Sequence, residues 1–345
     1  AGIFYLAKTE EKLAGYQHWL GQARSWQLDT RTVRGDVIAE HLGAPTGDFA
    51  GALYTPSDGR AEPSLATRAM AEAAELRGAV ILARTAVRTL ERAAGRVSGV
   101  VTEHGRIECD AVVVAAGVWS RLFLGNCGVV IPQLRVISSA LRTAPFDGPA
   151  AAASGPGFAF RKRLDGGYTV AQGTTTVSDI VPDSFRFFFL YQKALKLEWK
   201  TLKLRFGRAF LDAWMERRRW KADQRTPFEA IRTLNPAPVA PLLREAVANT
   251  ASVFPVFRGV AVAETWAGAI DVMPDAIPVL SDVPAIPGLH IATGLSGHGF
   301  GIGPGVGRLM ADLVTGAPPV VDPTPFRFSR FTDGEVIAPY TGGTL

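Results

Sequence analysis

Cysteine is scarce in this sequence: only Cys109 and Cys127 occur among 345 residues. Two cysteines cannot form a disulfide framework, and His and Cys do not recur at the spacing of a zinc site, so we expect no bound metal. No run of about 18 apolar residues is present, which argues against a transmembrane helix. The first residues also lack the apolar core of a secretory signal, and we therefore expect a cytoplasmic location. Because residue 1 is not methionine, we expect the chain to start inside a longer gene product or after processing.

Positive charge is concentrated in residues 184–225, which carry twelve Lys or Arg and four Asp or Glu, a net of +8. Since the whole chain is only +5, the remainder sums to −3. Apolar residues from Phe188 to Trp214 recur at helical spacing, which predicts one long or two shorter basic amphipathic helices. Such helices could pack on their own domain, or form an insertion that contacts a membrane surface or a partner. We expect no nucleic-acid binding, because no recognised nucleic-acid module accompanies the charge.

The first part of the chain alternates between helical and strand patterns, and its length leaves room for two domains. We expect helices over residues 9–26 and 63–76, and strands over residues 79–82, 87–90, 97–102 and 111–117. The last of these strands is continuously apolar and ends in Gly117. A strand of this kind is typical of a parallel sheet covered on both faces, and its carboxyl end is where such sheets bind ligands.

From Pro132 onward the pattern changes to that of an antiparallel sheet. We expect strands over residues 133–142, 157–163, 168–172, 252–257 and 259–266. Residues 288–315 then return to the α/β pattern, so the chain leaves its first domain and comes back to it.

Glycine is abundant in one place: seven glycines fall within residues 294–307, between the short apolar strand 288–292 and an apolar helical run over 306–314. Glycine allows backbone N–H groups to approach a ligand closely, and a helix N-terminus adds partial positive charge. The pattern therefore favours a site for a flat or anionic ligand over a plain surface turn, which needs only one or two glycines.

Four blocks in this order resemble the FAD-dependent amine and amino-acid oxidoreductases of the D-amino-acid oxidase family, which includes D-amino-acid dehydrogenase, glycine oxidase and sarcosine oxidase. The blocks are residues 85–102, 110–120, 266–279 and the glycine stretch. The resemblance implies an α/β (α+β overall) fold with two domains. A discontinuous Rossmann-like FAD-binding domain would span residues 59–128 and 285–325. An antiparallel substrate domain would span residues 1–58 and 129–284, with the basic helical insertion at 184–225.

One element of the family pattern is missing. No three glycines stand at positions i, i+2 and i+5, so the GxGxxG turn that cradles the FAD pyrophosphate is absent. We expect that the N-terminal part carrying this turn was truncated or left out of the sequence, or is supplied by another chain.

The resemblance also implies which residues contact FAD. The flavin ring would lie along Gly294, Ser296, Gly297, His298, Gly299, Phe300 and Gly301. Val87 would meet the adenine end, although it could equally be strand core, and Ala115, Gly117 and Trp119 would line the dinucleotide path. Monomeric sarcosine oxidases link flavin through a cysteine at about Gly268, far from both cysteines here, so we expect non-covalent FAD.

The substrate carboxylate needs a cation, for which the bidentate guanidinium of arginine is suited. Glycine-oxidase-like enzymes place an arginine where this sequence has about Ile270, so the cation must come from elsewhere. L-amino-acid deaminases of the family suggest Arg161, and Arg163 is a rival because both share one face of a strand. His298 could orient the substrate or only position the backbone. Tyr168 and Trp266 could form a pocket wall, although Trp266 also suits a core.

The resemblance implies oxidative deamination of an amino acid by hydride transfer to flavin. Because the basic segment suits an anionic bilayer, we favour a D-amino-acid dehydrogenase, peripheral on the inner face of the membrane, that passes electrons to a membrane acceptor. The alternatives are a glycine- or sarcosine-type oxidase using oxygen, an L-amino-acid deaminase, a flavin subunit of a hetero-oligomeric amine dehydrogenase, and a non-catalytic remnant with a binding role. An oligomer is compatible with each of these hypotheses.

Overall fold

The computed structural model of the protein describes residues 1–339. Its strands are β1 Ile3–Ala7, β2 Arg31–Val33, β3 Gly51–Thr55, β4 Val87–Ala93, β5 Arg96–Thr102, β6 Gly105–Glu108, β7 Val112–Val114, β8 Leu134–Thr143, β9 Ala152–Gly155, β10 Phe158–Lys162, β11 Tyr168–Ala171, β12 Thr176–Asp179, β13 Leu202–Arg205, β14 Val262–Val272, β15 Val279–Asp282 and β16 Leu289–Thr293. Its α-helices are α1 Glu10–Ala23, α2 Gly35–Leu42, α3 Pro63–Glu75, α4 Ser120–Asn126, α5 Pro182–Arg186, α6 Phe188–Leu197, α7 Arg208–Met215, α8 Pro227–Ala230, α9 Ala240–Val253 and α10 Gly299–Thr315.

A ten-stranded sheet dominates the structure, with the order β13-β12-β8-β11-β10-β9-β1-β3-β2 and with β14 paired to β8. The pairing is antiparallel except for β1 with β9 and β12 with β13. The longest ladder joins β8 to β14 from Leu134↔Val272 to Thr143↔Val262. This ladder carries the end of β14 to the place where the glycine stretch begins.

Helix α9 covers one face of the large sheet. Phe158, Phe160 and Tyr168 point from the sheet into a core that also holds Phe254, at the end of α9, and Phe257, in the 3₁₀ turn after it. Alternation along β10 and β11 explains this, because every second side chain points to the same face. The opposite face carries Arg161, which pairs with Thr169 across β10 and β11.

A three-stranded sheet, in the order β15-β16-β7, forms a second core with α4 and the segment that follows it. Strands β16 and β7 are parallel, with Leu289 opposite Val112, so the chain does return to its earlier part as expected. Strands β4, β5 and β6 form a separate antiparallel sheet. The domain boundaries given above stay predictions.

Several local expectations were wrong. Residues 79–82 form no strand, and Val80 is 81% exposed, because no described strand pairs with this apolar run. The expected strand over 111–117 shortens to β7, which is an edge strand with Val113 exposed and is therefore not covered on both faces. Residues 252–257 belong to the end of α9 and a 3₁₀ turn rather than to a strand.

After the end of α5, the basic segment contains two shorter helices, α6 and α7, which confirms the second of the two alternatives. Strand β13, which lies between them, was not foreseen. Strand β13 pairs with β12, and Arg205 donates to both carboxylate oxygens of Asp179, at 2.6 and 3.0 Å. The Tyr191 hydroxyl accepts from the Leu134 N–H and lies 2.5 Å from the Val272 carbonyl. Burial raises the pKa of Tyr191 well above its ordinary value. The segment is therefore joined to the ends of β8 and β14.

No helix within residues 1–339 is long and apolar enough to span a bilayer.

Candidate flavin site

A polar cluster joins the ends of β7, β16 and β14. Asp271 Oδ2 accepts hydrogen bonds from Gln133 Nε2 at 3.0 Å, from Thr293 Oγ1 at 3.0 Å and from the Gly294 N–H at 2.6 Å. Gln133 Nε2 and Thr293 Oγ1 also reach the Gly117 carbonyl, at 3.1 and 3.2 Å. Gln133 and Thr293 are almost fully buried, so these bonds are shielded from water. The cluster fixes the start of the glycine loop against the carboxyl ends of the parallel strands.

The loop that follows has a backbone that requires glycine. Gly294 has a φ of +76°, and a Cβ on it would lie 2.3 Å from Met273 Cγ. Ser296 also has a positive φ of 50°. Its N–H donates to the Asp271 carbonyl at 3.1 Å, and its Oγ accepts from the Met273 N–H at 3.2 Å. The loop is thus held to the end of β14 by both main chain and side chain.

Helix α10 begins directly after this loop, with His298 as its N-cap residue. Among residues 1–339 no carbonyl accepts from the N–H groups of Gly299 and Phe300. These donors and the helix dipole create positive potential at the helix start. A Cβ at Gly301 or Gly303 would meet open space. The same holds for Gly305 and Gly307. Because Gly301 and Gly305 stand about one helical turn apart, the side of the helix that they share is bare backbone.

These residues fit a flavin. A flat ring needs an open surface without Cβ atoms, and its polar edge needs N–H donors, and both occur together at the start of α10. Phe300 is 49% exposed beside the open surface, although large apolar side chains are usually buried. The loop Gly294–Gly301 could therefore hold the ring of FAD.

The other residues predicted to contact FAD lie on β4 and just beyond β7. Ala115 is exposed, and Gly117 has a φ of +53° and contributes its carbonyl to the polar cluster. Trp119 is half-buried, with its ring 5.7 Å from that of Phe228. Val87 is half-buried and pairs with Thr102. The polar cluster brings Gly117 and Gly294 together, and the contacts of the others with FAD stay predictions.

The predicted substrate residues are separated by the structure. Arg161 donates to both carboxylate oxygens of Glu62, at 3.0 and 3.1 Å, and Arg163 lies 3.2 Å from the same carboxylate. Burial by itself would raise the pKa of Glu62, but the hydrogen bonds from Arg161 and the positive charges of Arg161 and Arg163 lower it. Both arginines do share one face, but a substrate carboxylate would have to displace Glu62 to bind Arg161.

Tyr168 requires a correction. It is fully buried on the α9 side of the sheet, where its hydroxyl donates to the Pro149 carbonyl at 2.9 Å, so it is a core residue and not a pocket wall. Burial raises its pKa to about 12. Trp266 is half-buried opposite Ala140, and His298 is exposed at the start of α10.

Cys109 and Cys127 are free thiols that pack against the second core. Burial raises the pKa of Cys127 to about 11, which keeps this thiol protonated and unreactive at neutral pH. Within the described residues, no group of three or more His, Cys, Asp or Glu is placed to hold a metal ion.

The sequence motifs indicated no role for Gln133, Thr293, Glu62 or Asp271. Asp271 stood inside a block that resembled the family, which was the only signal for it. Gln133 follows an apolar stretch and is 138 residues from Asp271 and 160 from Thr293, so nothing local indicates their contact.

Comparison with known proteins agrees with this geometry. A sequence profile described as FAD dependent oxidoreductase matches residues 1–313. The L-amino acid deaminase from Proteus myxofaciens, solved in complex with anthranilate, superposes with a TM-score of 0.92 at 33% identity, covering 96% of this chain and 75% of that chain.

Two curated relatives are similar over most of the chain. The D-amino acid dehydrogenase of Paramagnetospirillum magneticum is 27% identical over 296 residues, which are 86% of this chain and 58% of the dehydrogenase. The glycine oxidase of Pseudomonas aeruginosa is 26% identical over 310 residues, which are 88% of this chain and 70% of the oxidase. The chain thus spans less than two thirds of the dehydrogenase. From the profile match and the shared fold, the chain belongs to the family of FAD-dependent oxidoreductases.

Proposed function

We propose that the protein takes part in the FAD-dependent oxidative deamination of an amino acid. The observation that carries this proposal is the glycine loop Gly294–Gly301, which the Asp271 cluster fixes at the end of the parallel strands. The names of the relatives support it, because the deaminase, the dehydrogenase and glycine oxidase all act on amino acids.

Bound FAD supplies the hydride acceptor for the substrate carbon that bears the amine, and the imine so formed hydrolyses to a keto acid. The free N–H groups of Gly299 and Phe300 would stabilise negative charge at the polar edge of the ring. The Asp271 cluster would keep these donors in place, so that little reorganisation accompanies the reaction. His298, exposed beside them, would orient the substrate.

Arg161 remains the proposed anchor for the substrate carboxylate. In this arrangement Glu62 occupies the guanidinium, so substrate binding would exchange one carboxylate for another. Arg161→Gln should raise KM for the amino acid about tenfold or more, while Glu62→Gln should lower it. Unchanged KM in both variants would exclude Arg161 as the anchor.

An L-amino acid is the better supported substrate, since the deaminase matches at a TM-score of 0.92 and 33% identity. The D-amino-acid dehydrogenase expected from the sequence remains the second candidate, supported by similarity over 86% of the chain. Anaerobic addition of L- and D-amino acids to the FAD-loaded protein separates the two, because only the true substrate class bleaches the flavin absorbance. Absence of bleaching with every amino acid would refute the proposal.

A membrane acceptor is supported by the surface of the basic segment. Phe189, Trp199, Phe206 and Trp214 are each at least 66% exposed there, next to the lysines and arginines. Aromatic and basic side chains together suit an anionic bilayer. Stoichiometric peroxide in air, without binding to anionic vesicles, would instead favour an oxidase.

A further inference from the structure

A cavity of about 160 Å³ lies between α4 and the basic segment. Four arginines line it: Arg121 from α4, Arg186 from the end of α5, and Arg218 and Arg219 from the chain after α7. None of the residues of the flavin loop lines it. It is therefore a separate feature from the candidate flavin site.

Positive charge exceeds negative charge around this cavity. The buried carboxylate of Asp183 lies 2.5 Å from Arg121 Nη1 and 3.3 Å from Arg218 Nη1. Glu216 is the other nearby acid, and burial raises its pKa. Even with both acids ionised, the four arginines leave a net charge of +2, in a pocket where the partly desolvated charges of Arg121 and Arg218 interact strongly with an anion.

Two of the arginines have no ion pair within the described residues. Arg186 is exposed, with its guanidinium 5.3 Å from the ring of Phe187, and Arg219 makes one hydrogen bond, to the Asn126 carbonyl at 2.9 Å. Each retains donors in the fork geometry that matches phosphate oxygens. Such donors remain available to a ligand.

The remaining walls are apolar. Leu122, Val129, Ile131 and Phe187 line the cavity, and Val130 lines it with 46% of its surface exposed. A hydrated inorganic anion gains nothing from apolar walls, whereas an amphiphile buries its chain against them. We propose that this pocket binds the phosphate headgroup of an anionic lipid, with the first part of the acyl chain against Val129, Val130 and Phe187.

Hydrogen bonds also connect the pocket to the candidate flavin site. The N–H of Arg121 donates to Gln133 Oε1 at 3.0 Å, and Gln133 belongs to the Asp271 cluster. The binding inference nevertheless stands on the pocket alone and requires no turnover, so it can fail while the proposed function holds.

Calorimetric titration of the FAD-loaded protein with dihexanoyl phosphatidic acid, below its critical micelle concentration, tests the proposal. The double variant Arg186→Gln, Arg219→Gln removes two exposed pocket charges. The control Lys193→Gln, Arg217→Gln removes two exposed charges of the same segment that do not line the cavity. The pocket variant should bind the lipid about tenfold or more weakly, since charge-assisted bonds to phosphate are lost, while the control should bind within about twofold of the unaltered protein.

Titration with inorganic phosphate distinguishes the two sources of the phosphate group. Inorganic phosphate should bind more weakly than the lipid, because it makes no use of the apolar walls. Equal affinity for both ligands would overturn the lipid assignment. Equal losses in the pocket and control variants would show general surface attraction, and the absence of saturable binding would overturn the site. Circular dichroism melting of both variants verifies that the comparison is between folded proteins.

Discussion

Replacing Asp271 with alanine should loosen the glycine loop by a predictable amount. Three donors converge on Asp271 Oδ2, but Gln133 Nε2 and Thr293 Oγ1 each have the Gly117 carbonyl as a second acceptor. Only the Gly294 N–H is left without an acceptor. An unsatisfied buried donor costs about 1–3 kcal/mol, so together with the lost packing we expect the free energy of unfolding to fall by about 2–4 kcal/mol. Asp271→Asn keeps one acceptor oxygen and should cost about 1 kcal/mol.

Urea unfolding of the FAD-free protein measures this change, and titration with FAD measures its effect on the site. If the loop holds the flavin, FAD must re-order the loosened loop when it binds. Each 1.4 kcal/mol that this ordering costs should weaken FAD binding about tenfold. Glu264→Ala is a matched control on the same strand, because Glu264 is an exposed carboxylate paired with Arg142 at 2.8 Å. A surface pair of this kind contributes about 0–1 kcal/mol.

Two results would refute the reasoning. Equal destabilisation by Asp271→Ala and Glu264→Ala would show that the buried cluster does not stabilise the loop. A destabilised Asp271→Ala protein with unchanged FAD affinity would show that the loop is not the flavin cradle.

Three further predictions concern single residues. Gly301→Ala should stabilise the FAD-free protein by up to about 1 kcal/mol, because alanine favours a helix more than glycine does. It should nevertheless weaken FAD binding more than Gly307→Ala does. Equal affinities of the two variants in flavin titrations would count against the placement of the ring. A hydrogen bond from Arg88 lowers the pKa of Glu229 to about 2. The ionised carboxylate therefore stabilises the fold above its ordinary pKa of about 4.3, and this stabilisation is lost as pH falls from about 5 towards 2. The free energy of unfolding, measured in urea, should therefore fall less between pH 6 and 3 in Glu229→Gln than in the unaltered protein. Equal falls in the two proteins would contradict this. Tyr168→Phe should cost about 1 kcal/mol in thermal unfolding and leave kcat/KM unchanged, whereas a fall in kcat/KM would restore its pocket role.

The elements that sequence predicts well here are those whose signal is local. The hairpin of β4 and β5 follows from strand patterns on both sides of a turn at Ala94 and Gly95, both of which have positive φ. Helix α3 follows from Pro63 in its first turn and Gly78 after its end. The strand β16 and helix α10 follow from apolar runs that flank the glycines. In each of these cases the deciding interactions lie within a few residues.

The features that the sequence did not predict depend on which distant segments of the chain come into contact. An apolar run such as 79–82 becomes a strand only when another strand pairs with it, and sequence does not say whether one does. Alternation along a strand shows that Arg161 and Arg163 share one face, but it does not show which face of the sheet α9 covers, and Tyr168 lies on that covered face. The Asp271 cluster requires four segments to converge, those of Gly117, Gln133, Asp271 and Thr293. Family resemblance located the glycine loop, yet gave no information about the polar contacts that hold it.

The way residues 184–225 are joined to the large sheet limits how their role can be tested by deletion. Excising them would remove β13 and Arg205, leaving β12 as an open sheet edge and the buried carboxylate of Asp179 without its partner. The Leu134 N–H would lose the Tyr191 hydroxyl, directly beside Gln133. A shortened protein could then lose activity through damage to the flavin loop even if the segment never touched a membrane. Substituting the exposed Phe189 and Trp214 one at a time leaves these attachments intact, so such variants separate surface binding from folding.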